Sequence, residues 1–259
     1  MTVPPTAAAL LQQGLFHHRQ GQLSLAMDRY TDALRTDPKN PDALYYVAVV
    51  ACQEGQFEQG AALARRAIEA GPPQARVHNL LGQAQDRLGE PLEAIKQFDE
   101  AVRLDPNFAE AHGNRAGIMA SAGFPEEALK SFDRALALTP NPTDWANRGT
   151  VLLDLGRTDE AIESYDKAIA IDAKSPTPHF IRANALRDAK RFDEALAGYD
   201  RAIKEAQDFV PAHRARASLL ETMGRTDEAR VSNERAAAFE ALAEQQEARR
   251  REGGDPSLN

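Results

Sequence analysis

One phrase recurs along this chain at a spacing of 33 or 34 residues, and a period of that length restricts the fold to architectures that stack one small unit on the next. It reads GQLSLAMDRYTDALRTDP from Gly21, GEPLEAIKQFDEAVRLDP from Gly89 and GFPEEALKSFDRALALTP from Gly123. GRTDEAIESYDKAIAID from Gly156 and KRFDEALAGYDRAIKEA from Lys190 continue the series. Glycines at Gly21, Gly55, Gly89, Gly123, Gly156 and Gly224 each separate two helical stretches, where a left-handed backbone turn favours them. Each period is therefore predicted to be a helix, a sharp turn and a second helix.

The letters after the turn describe helix packing. Glu126-Glu127, Asp159-Glu160, Asp193-Glu194 and Asp227-Glu228 fall in the first turn of the second helix, where the helix dipole favours negative charge, so they read as helix starts and not as catalytic pairs. Small residues follow at Ala26, Gly60, Ala94, Ala128, Ala161, Ala195 and Ala229 and let paired helices approach. Four positions on come Tyr30, Phe98, Phe132, Tyr165 and Tyr199, on the same helical face, then alanine again at Ala33, Ala101, Ala135, Ala168 and Ala202. Pro38, Pro72, Pro106 and Pro140 close four periods, because proline cannot continue a helix.

This series of small, aromatic, small and proline residues resembles the tetratricopeptide repeat (TPR) family over nearly the whole chain. The resemblance implies an all-α, right-handed solenoid whose first helices line a concave groove. Repeats are placed at 7–40, 41–74, 75–108, 109–141, 142–175, 176–209 and 210–240, after an amino-terminal tail of 1–6. A polar helix extension follows over 241–252, with Phe239 and Leu242 retained near its start for packing, and 253–259 is expected to be a disordered tail. The asparagine row of the repeat arm of O-linked N-acetylglucosamine transferases is a second, weaker likeness, resting on Asn114 and Asn147 in the phrases GNRA and ANRG.

Chemistry is harder to find. His78, His112, His179 and His213 share the fourth position of their repeats, which makes them packing residues and not a metal cluster. His17 and His18 are adjacent and so cannot form an i, i+4 ligand pair. No phosphate loop, dinucleotide fingerprint or nucleophile elbow is present, and no cofactor is expected. Cys52 is read as an apolar filler and, being the single cysteine, permits no intrachain disulfide. Arg115, Arg148, Arg182 and Arg216 recur at the seventh position and are assigned to ion pairing within the fold. The lysine–asparagine–arginine clamp of chaperone-binding members is missing.

In the family, positions 2, 5, 6, 9, 12 and 13 of the first helix face the groove. Carried onto this chain they give a candidate partner-binding set of Tyr45, Asn79, Asn114, Asn147, Phe180, Asn184, Arg187 and Arg214. The net charge of −8 is spread over both halves, which removes the electrostatic basis for nucleic-acid binding. No apolar run is long enough for a membrane span, and a cytoplasmic location is the simplest expectation. The expected function is a non-enzymatic scaffold or adaptor that binds a peptide or protein segment; a separately encoded targeting arm for an enzyme such as a glycosyltransferase, or a self-assembling structural solenoid, are the alternatives.

Overall fold

Fourteen helices and no strand make up the regular structure of the described residues, 5–252, in the computed structural model. The chain divides after Pro140 into two compact units. The first contains α1 (Ala7–Arg19), α2 (Leu23–Thr36), α3 (Pro41–Gln53), α4 (Phe57–Ala70), α5 (Ala75–Arg87), α6 (Pro91–Leu104), α7 (Ala109–Ser121) and α8 (Pro125–Leu138). The second contains α9 (Pro142–Asp154), α10 (Thr158–Ile171), α11 (Pro176–Asp188), α12 (Phe192–Glu205), α13 (Val210–Thr222) and α14 (Thr226–Glu252). Within each unit, a first helix packs on its own second helix and on the second helix of the preceding hairpin, as expected for an α solenoid of tandem hairpins.

The hairpin turn is a Schellman motif. In the first, the N–H of Gly21 donates to the carbonyl of His18 and the N–H of Gln22 to that of His17, both at 3.0 Å. The six glycines of this turn all have φ between 72° and 86°. The sixth hairpin places Lys190 there at φ 61°, keeping both hydrogen bonds, through Lys190 to Arg187 and Arg191 to Leu186 at 2.8 Å each. A side chain in the left-handed region is strained, so Lys190→Gly should stabilise the protein by about 0.5–1 kcal/mol, the relief being partly offset by the freer unfolded chain. Denaturant unfolding of the two proteins side by side measures this; a loss of stability in the variant would contradict it.

Second helices supply the aromatic rings of the core. Ala26, Ala94, Ala128, Ala161 and Ala195 are fully buried, as are Tyr30, Phe132 and Tyr199, with Phe98 and Tyr165 at 1% exposure. Across from three of these rings the first helix has glycine: a Cβ on Gly14 would lie 2.3 Å from the Tyr30 ring, on Gly82 2.8 Å from Phe98, and on Gly149 2.5 Å from Tyr165. The ring lies against bare backbone in these hairpins. In the second hairpin Ala64 replaces the ring and Ala48 stands across from it, both at 0% exposure.

α14 is 27 residues long, against 13 for α13, and so runs past its partner helix. Phe239 still packs, its ring 5.7 Å from that of His213. Leu242 does not: it is half exposed, because α13 no longer lies beside it. Every residue from Ala241 to Arg249 is exposed. The tail over 253–259 and residues 1–4 lie outside the described residues.

Candidate functional site

A hollow of about 410 Å³ opens on the first-helix face of the first unit. Val49 and Cys52 of α3, Leu80 and Ala84 of α5, and Ile118 of α7 line it together with Phe98 of α6. Gln53, Gln83, Asp86, Arg87 and Asn114 provide its polar lining. These first-helix residues lie one or a few turns apart along α3, α5 and α7, which is how successive hairpins bring one stripe of sequence into a shared surface. Gly117 of α7 belongs to the same stripe, and a Cβ built on it would meet nothing within 4 Å. Burial raises the pKa of the Cys52 thiol, so this cysteine is a poor nucleophile.

One edge of this face is aromatic. Tyr46 stacks on Tyr30 at 5.2 Å and meets Tyr45 edge-on at 5.0 Å. The Arg76 guanidinium lies 4.6 Å over the Tyr45 ring, donates to the Tyr46 hydroxyl at 3.2 Å and pairs with Asp42. Next to it runs a chain of amides. Asn114 donates to the Asn79 side-chain oxygen at 3.0 Å, Asn79 donates to Glu110 at 3.0 Å, and Gln83 donates to the same Glu110 oxygen at 2.8 Å. Asn79 is 4% exposed. It therefore ties α5 to α7, leaving Asn114 and Gln83 as the amides at the hollow.

Burial raises four of the phenols above their ordinary range. Tyr30 is pushed up to about 12, by burial first and by the neighbouring Tyr46 second, and burial also raises Tyr45, Tyr165 and Tyr199. A folded-state pKa above the unfolded value of about 10 means that this stability is complete below pH ~10 and is lost as pH rises towards ~12. Helix content followed by circular dichroism should fall in that window together with the appearance of tyrosinate absorbance. Tyrosines that titrate near pH 10 with the helices intact would contradict the burial.

The second unit holds a separate hollow of about 390 Å³, lined by Pro142, Thr143, Ala146, Asn147 and Thr150 of α9 and by Thr177, Pro178 and Ile181 of α11, among others. Asn147 is exposed there. The remaining candidates are engaged by the fold. Phe180 is half-buried between Phe209 at 5.3 Å and Tyr199 at 6.0 Å. Asn184 accepts from the Tyr199 hydroxyl at 2.7 Å, Arg187 pairs with Asp188 at 2.8 Å, and Arg214 pairs with Glu240 of α14 at 2.6 Å. The structure thus brings Tyr45, Asn79 and Asn114 onto one face of the first unit, Asn147 onto the second hollow, and Phe180, Asn184, Arg187 and Arg214 into contacts within the second unit.

Models of the tetratricopeptide repeat match residues 17–84 and 79–141, and a TPR repeat model matches 149–188. The chain is a tetratricopeptide repeat protein. A curated relative, the probable UDP-N-acetylglucosamine–peptide N-acetylglucosaminyltransferase SPINDLY of Hordeum vulgare, is 27% identical over an alignment of 113 residues that covers 41% of this chain. The matched stretch spans only 12% of that relative's length. Among solved structures, the APC/C hetero-tetramer Cut9–Hcn1 superposes with a TM-score of 0.70 at 18% identity, covering 83% of this chain and 43% of that one. YrrB, described as a TPR protein with an unusual peptide-binding site, gives 0.57 at 24% identity, covering 71% and 92%. These superpositions show a shared fold.

The polar residues that recur in this tetratricopeptide chain mostly join its repeats. Arg115 pairs with Asp99 of the preceding hairpin at 2.5 Å and donates to Ser131 of its own at 2.5 Å. Arg216 does the same with Asp200 and Ser232, at 2.6 Å each, and Arg182 pairs with Asp166 at 2.6 Å, with Gly198 where the serine stands elsewhere. Ser131 and Ser232 are 2% exposed and also donate back to the carbonyls of Glu127 and Glu228. The histidines join repeats as well: a ring nitrogen of His112, His179 and His213 bonds the carbonyl of Pro106, Ala173 and Gln207 in the preceding linker, at 2.8–3.1 Å. His78 bonds Gln97 instead, at 2.9 Å. Among the described residues no three His, Cys, Asp or Glu side chains converge as a metal site would require, and no helix is long and apolar enough to cross a membrane.

Proposed function

We propose that the chain is a non-catalytic interaction scaffold, and that an extended protein segment lies along the first-helix face of its first unit. The hollow of about 410 Å³ carries this reading: it offers an apolar floor for a side chain, with the amides of Gln83 and Asn114 beside it to meet a peptide backbone. The peptide-binding site named for YrrB, a structural neighbour, is in keeping with it. The SPINDLY match supports a second reading, in which the scaffold serves a separate glycosyltransferase as its substrate-recruiting arm.

Gly117→Arg tests both readings at the same surface. The open space at Gly117 admits a long side chain without touching the core, and arginine suits a helix interior better than glycine by close to 1 kcal/mol. The variant is therefore expected to be at least as stable as the parent and to lose the partner in affinity capture followed by mass spectrometry. A peptide-bearing client lost from the variant supports the scaffold, and a lost transferase supports the arm. Capture unaffected by Gly117→Arg would remove this face from the function.

A further inference from the structure

The charge around the hollow of the first unit is uneven, and this bears on which segment it takes. Among the lining residues Arg87 alone is cationic, and its guanidinium packs over the face of Phe57, 4.8 Å from the ring centroid, instead of pairing with Asp86 or Glu110. Arg76, at the tyrosine edge, is held by Asp42. Among the described residues two carboxylates here have no cationic partner: Asp86, in the lining itself, and Glu110, which receives neutral amides from Asn79 and Gln83. Gln83 lines the hollow and touches Glu110, so that carboxylate sits at the rim, and Asp86 follows Gln83 by three residues on α5. An apolar floor is thus bordered by two carboxylates with capacity left to accept.

We propose that this hollow selects segments in which an apolar side chain stands beside a basic one, the first entering the hollow and the second meeting Glu110 or Asp86. The inference rests on the reading that a segment binds this face, and adds its chemistry. An acidic segment would bring a third unpaired carboxylate to the rim beside Asp86 and Glu110, which repel it, and a wholly polar one would leave the floor formed by Val49, Leu80, Phe98 and Ile118 uncovered.

A library of random-sequence peptides selected on the full chain, with the Gly117→Arg chain for counter-selection, separates the two levels of the reading. Enriched peptides should pair Leu, Ile, Met or Phe with a neighbouring Lys or Arg and should bind less tightly as salt rises. Glu110→Gln keeps an oxygen for Asn79 and Gln83 while removing the charge, and Asp86→Asn does likewise at its site. Each should weaken a selected basic peptide roughly twofold to fivefold, the range of an exposed ion pair, and leave a variant peptide with its basic residue replaced by Gln unaffected. Peptides that are displaced by Gly117→Arg but are not enriched in basic residues, or are acidic, would overturn the charge preference and leave the groove standing. Failure to enrich any peptide, or enrichment indifferent to Gly117→Arg, would overturn the groove and this inference with it.

Discussion

Replacing Phe98 by alanine is expected to remove about 3–5 kcal/mol of stability, the usual cost of deleting a buried aromatic ring. The ring is 1% exposed, lies against the bare backbone of Gly82 and also lines the hollow. Its loss leaves a void between α5 and α6 where the ring met Gly82, and the opening onto the hollow admits water. Stability in a stacked array is a sum over neighbours, so the damage should be concentrated in one part of the chain. Hydrogen exchange read out by mass spectrometry should show α5 and α6 losing most protection, α4 and α7 less, and α12 and α13 almost none. Uniform loss along the whole chain would mean that the protein unfolds as a single closed core.

Gly149→Val is expected to cost about 1–3 kcal/mol or somewhat more, because it forces a branched side chain into a ring-to-backbone contact. An added Cβ would lie 2.5 Å from the Tyr165 ring, which is 1% exposed and hydrogen-bonds Thr150 through its hydroxyl at 3.3 Å. Tyr165 therefore cannot move aside without breaking a polar contact or parting α9 from α10. The second hairpin shows another solution, with Ala48 and Ala64 at the equivalent places and both fully buried. Adding Tyr165→Ala should accordingly make Gly149→Ala nearly harmless, a coupling of about 0.5–3 kcal/mol between the two sites in a double-mutant cycle of denaturant midpoints. Additive losses would show that the glycine is retained for some reason other than the ring.

The parts of the fold legible in the sequence are those governed by contacts within one hairpin. Glycine before a helix start signals a left-handed turn whatever surrounds it, and an alanine four residues before an aromatic ring marks one face of one helix. Lys190 shows the limit of this: the hydrogen bonds of the turn hold a lysine in the glycine conformation, which only the backbone angle reveals. Gly14, Gly82 and Gly149 carried no meaning in the sequence because their reason is a ring some sixteen residues on, across the hairpin.

Of the candidate site, the stripe on α3, α5 and α7 was visible as a helical period, whereas its chemistry was not. Asn79 and Asn114 look alike as letters, yet one is buried as a tie to Glu110 and the other remains at the hollow. Glu110 carries no such signal in the sequence, since a lone acidic residue near a helix start is ordinarily a response to the helix dipole. In the second unit, Asn184 and Arg214 share the groove spacing but are taken up by Tyr199 and Glu240, partners that no spacing rule discloses.

The arginine that pairs with an aspartate of the hairpin before it and a serine of its own amounts to a mating rule between modules. A hairpin with such an aspartate in its second helix, as Asp99 stands in α6, can take a hairpin that presents the arginine at its seventh residue, as Arg115, Arg182 and Arg216 do. Gene duplication or loss of one whole period would then leave a seam whose charges still match. Length can then change in steps of one such hairpin without a new interface having to be invented, while a cut elsewhere in the period would leave the arginine without its aspartate.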